Sequence, residues 1–179
     1  IDLNLMKKDQ NLSNLTSLIL NGMQNVFTQH RPDIVLVHGD TTTTLATSIA
    51  AFYTSIPVGH VEAGLRTYNL NAPFPEEFNR QITGKITKWH FVPTDLGQQN
   101  LLYEGVDKNS ITVTGNTVID SLQWVLKRID KDGDRRKNLE NILNTKLPFH
   151  WKSENFTLVT AHRRENFGDG FLQICSALK

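Results

Sequence analysis

Short apolar runs alternate with stretches of helical periodicity along this chain, and that alternation most constrains its fold. Leu12, Leu15, Ile19, Met23 and Val26 recur at three- and four-residue intervals, which predicts an amphipathic helix over residues 13 to 29. Arg31-Pro32-Asp33 breaks it, and Ile34-Val35-Leu36-Val37 follows as a continuous apolar run, the mark of a strand buried on both faces. Helices are predicted over Thr42 to Tyr53, from Pro75 at a first helical position, over Leu96 to Tyr103 and over Thr117 to Ile129. Between them lie strands at Val58 to Val61, Trp89 to Val92 and Ile111 to Val113, with a fifth at Phe156 to Thr160. The charged stretch over residues 130 to 137 reads as a solvated loop, Leu139 to Leu143 as a short helix, and Cys175 as a small residue buried in an apolar helix. Strands alternating with helices give the α/β class, with a parallel sheet covered on both faces.

Composition narrows the function. Nineteen Lys and Arg against 18 Asp and Glu leave a net charge of +1, which excludes a strongly basic nucleic-acid binder and an acidic disordered tail. A single cysteine provides no internal disulfide and points to a reducing compartment. The apolar runs are far too short to cross a bilayer. No G-x-G-x-x-G follows a strand and no G-x-x-x-x-G-K-[ST] occurs, so a dinucleotide or P-loop reading has no support. The six histidines show no metal-ligand spacing, and no metal is expected. The chain opens on a helix where a doubly wound domain normally opens on a strand, so a fragment is expected.

In parallel sheets ligands sit at the carboxyl ends of the strands, so the residues there carry the most weight. Asp40 is either the N-cap of the following helix or a ligand-facing acid, and Thr41 to Thr44 suit an anion at a helix N-terminus. Glu62 caps nothing obvious; it pairs with Arg66 or faces the ligand crevice. Glu76 and Glu77 suit the helix dipole, yet Asp40, Glu62 and Glu76 come from different loops and suit acid and base roles if they converge. His162-Arg163-Arg164 is either a surface charge run or a phosphate site.

Five blocks together resemble the non-hydrolysing UDP-N-acetylglucosamine 2-epimerases. They are His38-Gly39-Asp40-Thr41-Thr42-Thr43, His60-Val61-Glu62-Ala63-Gly64-Leu65-Arg66-Thr67, Pro75-Glu76-Glu77-Phe78-Asn79-Arg80, the block from Val113 to Asp120, and Thr160-Ala161-His162-Arg163-Arg164-Glu165-Asn166. The resemblance implies two Rossmann-like domains with parallel sheets in a GT-B-type fold. Residues 1 to 115 are then the later part of the first domain. Residues 116 to 179 begin the UDP-binding second domain, whose first strand is Phe156 to Thr160. It also implies interconversion of UDP-GlcNAc and UDP-ManNAc at C2, for bacterial surface polysaccharides, by a cytoplasmic homodimer using no cofactor. Asp40, Glu62 and Glu76 match the family's essential carboxylates and His162 its diphosphate-site histidine. Thr41, Arg66, Arg80, Asn116, Arg163 and Arg164 are implied as substrate-binding. Arg163 and Glu76 are also implied to touch a second, activating UDP-GlcNAc. Which acid serves which face of C2 is left open.

Three other readings stand beside this one: a hydrolysing epimerase, a GT-B glycosyltransferase and a non-catalytic fragment. Hydrolysing relatives tend to lack the Thr41-Thr42-Thr43 run and the Ala63 to Thr67 block, and both are present here. The fragment alone is expected to be inactive.

Overall fold

Three of the five predicted strands form with the bounds expected of them, and the first is displaced by one residue. In the computed structural model, which describes residues 1–160 and 168–178, β1 is Val35–His38, β2 Val58–Val61, β3 Trp89–Val92 and β4 Ile111–Val113. All pair in parallel, in the order β1-β2-β3-β4. The chain divides into two compact units, Ile1–Val118 and Ile119–Lys179.

The first unit contains the whole sheet. Helices α1 (Leu12–His30), α2 (Thr42–Tyr53), α3 (Glu76–Ile86) and α4 (Asp95–Tyr103) complete it, with a 3-10 turn at Lys108–Ser110. Each end has a local cause. The Asn11 side chain accepts the Asn14 N–H at 2.8 Å to open α1, and Arg31, in a left-handed conformation, closes it before Pro32. Thr41 caps α2, and Thr94 caps α4 through the Gly97 N–H. Pro75 precedes α3 as its cap residue rather than as its first helical residue.

Right-handed crossovers in an unbroken strand order put successive helices on one face of the sheet. Phe27, Val37, Ala50, Ala51 and Val58 form the core there, with Leu20, Met23 and Val26 of α1 packed against it. Each fully buried Val or Phe contributes about 1.5–3 kcal/mol. A second cluster, Ala63, Val92, Leu101 and Ile111, lies toward β4. The expectation that β1 is buried on both faces is corrected: Val37 is buried while its neighbour Leu36 is 62% exposed.

In the second unit α5 (Thr117–Lys131) runs on from the first, and α6 (Gly133–Lys146) and α7 (Asp169–Ala177) follow. The loop expected over residues 130 to 137 is largely helix. Asp132 caps α6 by accepting the Arg135 N–H at 2.9 Å, and Arg136 reaches both Asp130 and Glu140. The strand expected at Phe156 to Thr160 does not form. No other strand lies among the described residues of this unit, so the segment has no ladder to join. Cys175 is exposed, because no residue of α7 is buried.

Candidate functional site

The turns after β1 and β2 lie side by side at the carboxyl edge of the sheet. Gly39 follows β1 with a φ of 70°, and a Cβ on it would stand 3.4 Å from Glu62 Oε2. Glu62 follows β2 with a φ of 67°, left-handed backbone that costs a non-glycine residue about 1–3 kcal/mol. The turn brings its carboxylate to the end of β1, where Oε2 lies 3.6 Å from His38 Nε2. The same His38 nitrogen is 3.3 Å from Thr117 Oγ1. Arg66 is therefore not the partner of Glu62.

Asp40 is not the cap of α2, since Thr41 does that work by accepting the Thr44 N–H at 3.2 Å. The Asp40 carboxylate instead accepts from Arg80 Nη1 at 3.1 Å, and its carbonyl accepts from Asn79 Nδ2 at 2.8 Å. Both donors belong to α3, forty residues away in the case of Arg80. Glu76 opens the same helix, half-buried, and makes no side-chain hydrogen bond or ion pair among the described residues. Asp40 and Glu62 thus stand on adjacent turns, and Glu76 starts the helix that holds Asp40.

Two arginines in the expected binding set are buried in ion pairs. Arg66 donates Nε and Nη2 to Glu104 at 2.6 and 3.0 Å, and its side chain has no exposure. Arg80 also donates Nε to Glu77 at 2.6 Å. Asn116 is exposed, and its side chain accepts the Val118 N–H as α5 begins. His162, Arg163 and Arg164 lie outside the described residues.

Two histidines lie beneath this edge. His60 pairs in register with His90 on the buried face of the sheet. Its Nε2 is 2.7 Å from the Gly39 carbonyl, so that nitrogen carries the proton, and Nδ1 is buried without a partner among the described residues. Burial chiefly lowers both imidazoles, each to about 4.

His38 and Glu77 carry more of this arrangement than the sequence suggested. His38 had a signal, its place at a strand end. Glu77 and Arg80 also had one, the i, i+3 spacing of opposite charges on a helix. Glu104 had none, because it lies 38 residues from Arg66.

The model of the family described as UDP-N-acetylglucosamine 2-epimerase matches residues 1–179. The Escherichia coli K12 protein named UDP-N-acetylglucosamine 2-epimerase is 51% identical over 99% of this chain and 46% of its own length. The Neisseria meningitidis UDP-GlcNAc 2-epimerase crystal structure with UDP-GlcNAc bound superposes with a TM-score of 0.75 at 48% identity, over 82% of this chain and 40% of that one. The Methanocaldococcus jannaschii enzyme in complex with UDP-GlcNAc and UDP gives 0.81 at 34% identity, over 98% and 44%. The chain spans about half the length of the curated relatives it matches. Its fold is α/β with a parallel sheet, as in these GT-B-type relatives, and the chain belongs to the UDP-N-acetylglucosamine 2-epimerase family.

Proposed function

We propose that this chain is part of a non-hydrolysing epimerase that interconverts UDP-GlcNAc and UDP-ManNAc. The carrying observation is the placement of Asp40 and Glu62 on neighbouring turns at the carboxyl edge of a parallel sheet, with α3 reaching across to hold Asp40. Residues 1 to 115 would belong to its first domain, and residues from 116 to its second.

The chemistry calls for such acids. The hydrogen on C2 of the sugar is not next to a carbonyl, so direct deprotonation is very unfavourable. Breaking the C1–O bond to UDP first builds oxocarbenium character, which acidifies C2–H. Loss of UDP and the proton gives 2-acetamidoglucal. UDP then adds back to C1, and a proton returns to the other face of C2. Asp40, Glu62 and Glu76 would serve charge and proton near C1 and C2. His162, Arg163 and Arg164 would serve the diphosphate, together with Thr41 at the start of α2. Arg66 and Arg80, implied by the resemblance as substrate-binding, would instead act from beneath the site, Arg66 by holding Glu104 and Arg80 by holding Asp40 and Glu77. A second UDP-GlcNAc near Glu76 and Arg163, a homodimer and a cytoplasmic role in surface polysaccharide synthesis belong to the same proposal. Among the described residues no helix is long and apolar enough to cross a membrane.

The test is turnover of the complete protein in D2O. Elimination and re-addition place deuterium at C2 of both epimers. They also scramble an oxygen label from the C1–O–P bridge into non-bridging phosphate positions. Epimerisation with full retention of the C2 hydrogen and no scrambling would reject the mechanism. Release of free ManNAc would favour a hydrolysing enzyme instead.

A further inference from the structure

We infer that Glu77 is a positioning residue for Asp40, acting through Arg80. The inference rests on the reading of Asp40 as a reacting carboxylate. An acid in the first turn of a helix ordinarily needs only solvent and the helix dipole. Glu77 is different, because its side chain is fully buried. Its Oε1 accepts from Tyr68 N at 2.9 Å and Gln81 Nε2 at 2.7 Å. Its Oε2 accepts from Thr67 N at 3.0 Å and Arg80 Nε at 2.6 Å. A buried carboxylate is tolerated only when paired and hydrogen-bonded, and here both conditions hold.

The pairing has a directional consequence. A guanidinium is a rigid planar fork, so holding Nε against Glu77 also sets the direction of Nη1. That nitrogen reaches Asp40 Oδ2 at 3.1 Å. Asn79, on the same helix, holds the Asp40 carbonyl. Asp40 is therefore gripped at its backbone and at one carboxylate oxygen, while 30% of its side chain stays exposed. Glu77 also shares the single positive charge of Arg80, so the three side chains together keep one negative charge. A lysine at position 80 would supply the charge but not the two fixed directions.

The test uses the complete protein with UDP-GlcNAc as substrate. Glu77→Gln keeps the size and removes the charge. Turnover is expected to fall by at least about tenfold, with KM within about threefold, because orientation in the transition state is lost rather than binding. A merely structural loss would act independently of Asp40, so the same change is made on an Asp40→Asn background. There it should lower turnover by less than about twofold more. Losses that multiply on that background, or near-parental turnover in the single variant, would overturn the inference. If Glu77→Gln does not fold, Arg80→Lys enters the same cycle with the same expectations. The 13C signal of the Asp40 carboxyl carbon, assigned by its loss in Asp40→Asn, reads the geometry without catalysis. A displaced signal in the position-77 or position-80 variant supports the relay, and an unmoved one overturns it. If the parent protein converts no UDP-GlcNAc, the proposed function fails and the carbon signal alone decides the relay.

Discussion

A Cβ on Gly64 would stand 2.3 Å from the carbonyl oxygen of Gly97. The turn after β2 and the first turn of α4 touch backbone to backbone, and Asn100 Nδ2 ties them further by donating to the Gly64 carbonyl at 2.9 Å. Gly64 also has a φ of 85°. Gly64→Ala therefore meets both strain and a collision with main chain, and should cost more than about 2 kcal/mol. Gly105 has a φ of 80° but open space around it. Gly105→Ala should cost only about 1 kcal/mol, since strain acts alone. Urea unfolding of the two variants checks the difference, and equal losses would rule out the close contact.

Much of the first unit was legible because its signals are local. The apolar runs at Val58 and Trp89 end against turn residues, and α2 has the bounds its composition suggested. The site was legible only as residue types at strand ends. That Asp40 is held by Arg80 and that Arg66 pairs with Glu104 depends on contacts about forty residues apart, which no periodicity records. The error at α6 has a different origin. Lys, Asp and Arg without apolar anchors look like loop, yet an Asp132 cap and charge pairs at helical spacing hold the turns. The missing strand at Phe156 is a question of partners, since a β-strand needs a ladder and its own sequence cannot supply one.

Acid should begin to destabilise the fold through two buried histidines. His60 and His90 titrate near 4 when folded, against 6.5 ordinarily, because burial disfavours the cation. The unfolded chain then takes up protons first. Their contribution is complete above pH 6.5 and is lost as pH falls toward 4, by up to about 1.4 kcal/mol per pH unit for each histidine. Glu77 acts lower. Burial would raise its carboxyl, but donors on Gln81, Thr67, Arg80 and Tyr68 outweigh that and hold it at about 2, so its contribution fades only below about 4.5. Unfolding free energies at pH 7 and pH 5 test the histidine part, and equal values would contradict it.

Arg66 should act on stability more than on ligand affinity. Its fully buried guanidinium holds Glu104, whose side chain is 15% exposed. Arg66→Met would leave that carboxylate largely buried and unpaired, at a cost of about 3 kcal/mol. Arg66→Met with Glu104→Leu should recover much of the loss, because both charges then leave together. A direct substrate contact would give the opposite pattern: weaker UDP binding with an unchanged unfolding midpoint.

Glu62 should separate activity from stability. Its carboxylate is the group proposed to act on the substrate, while its φ of 67° is strained for any residue with a Cβ. In the complete protein Asp40→Asn, Glu62→Gln and Glu76→Gln should each lower turnover far more than they weaken UDP binding, since charge and proton transfer matter most in the transition state. Glu62→Gln keeps the strained backbone and should leave stability nearly unchanged. Glu62→Gly abolishes the same carboxylate but relaxes the turn, because glycine adopts that φ freely. The pairing it forfeits with His38 is half-exposed and long, at 3.6 Å, and so contributes little. Glycine also gains backbone entropy in the unfolded chain, which offsets part of that relief. Glu62→Gly should therefore be as inactive as Glu62→Gln and yet more stable by about 0.5–1 kcal/mol. Thermal unfolding beside steady-state kinetics measures both quantities. A glycine variant that loses stability would show that the turn stores less strain than glycine's entropy costs, and one that retains turnover would remove Glu62 from the chemistry.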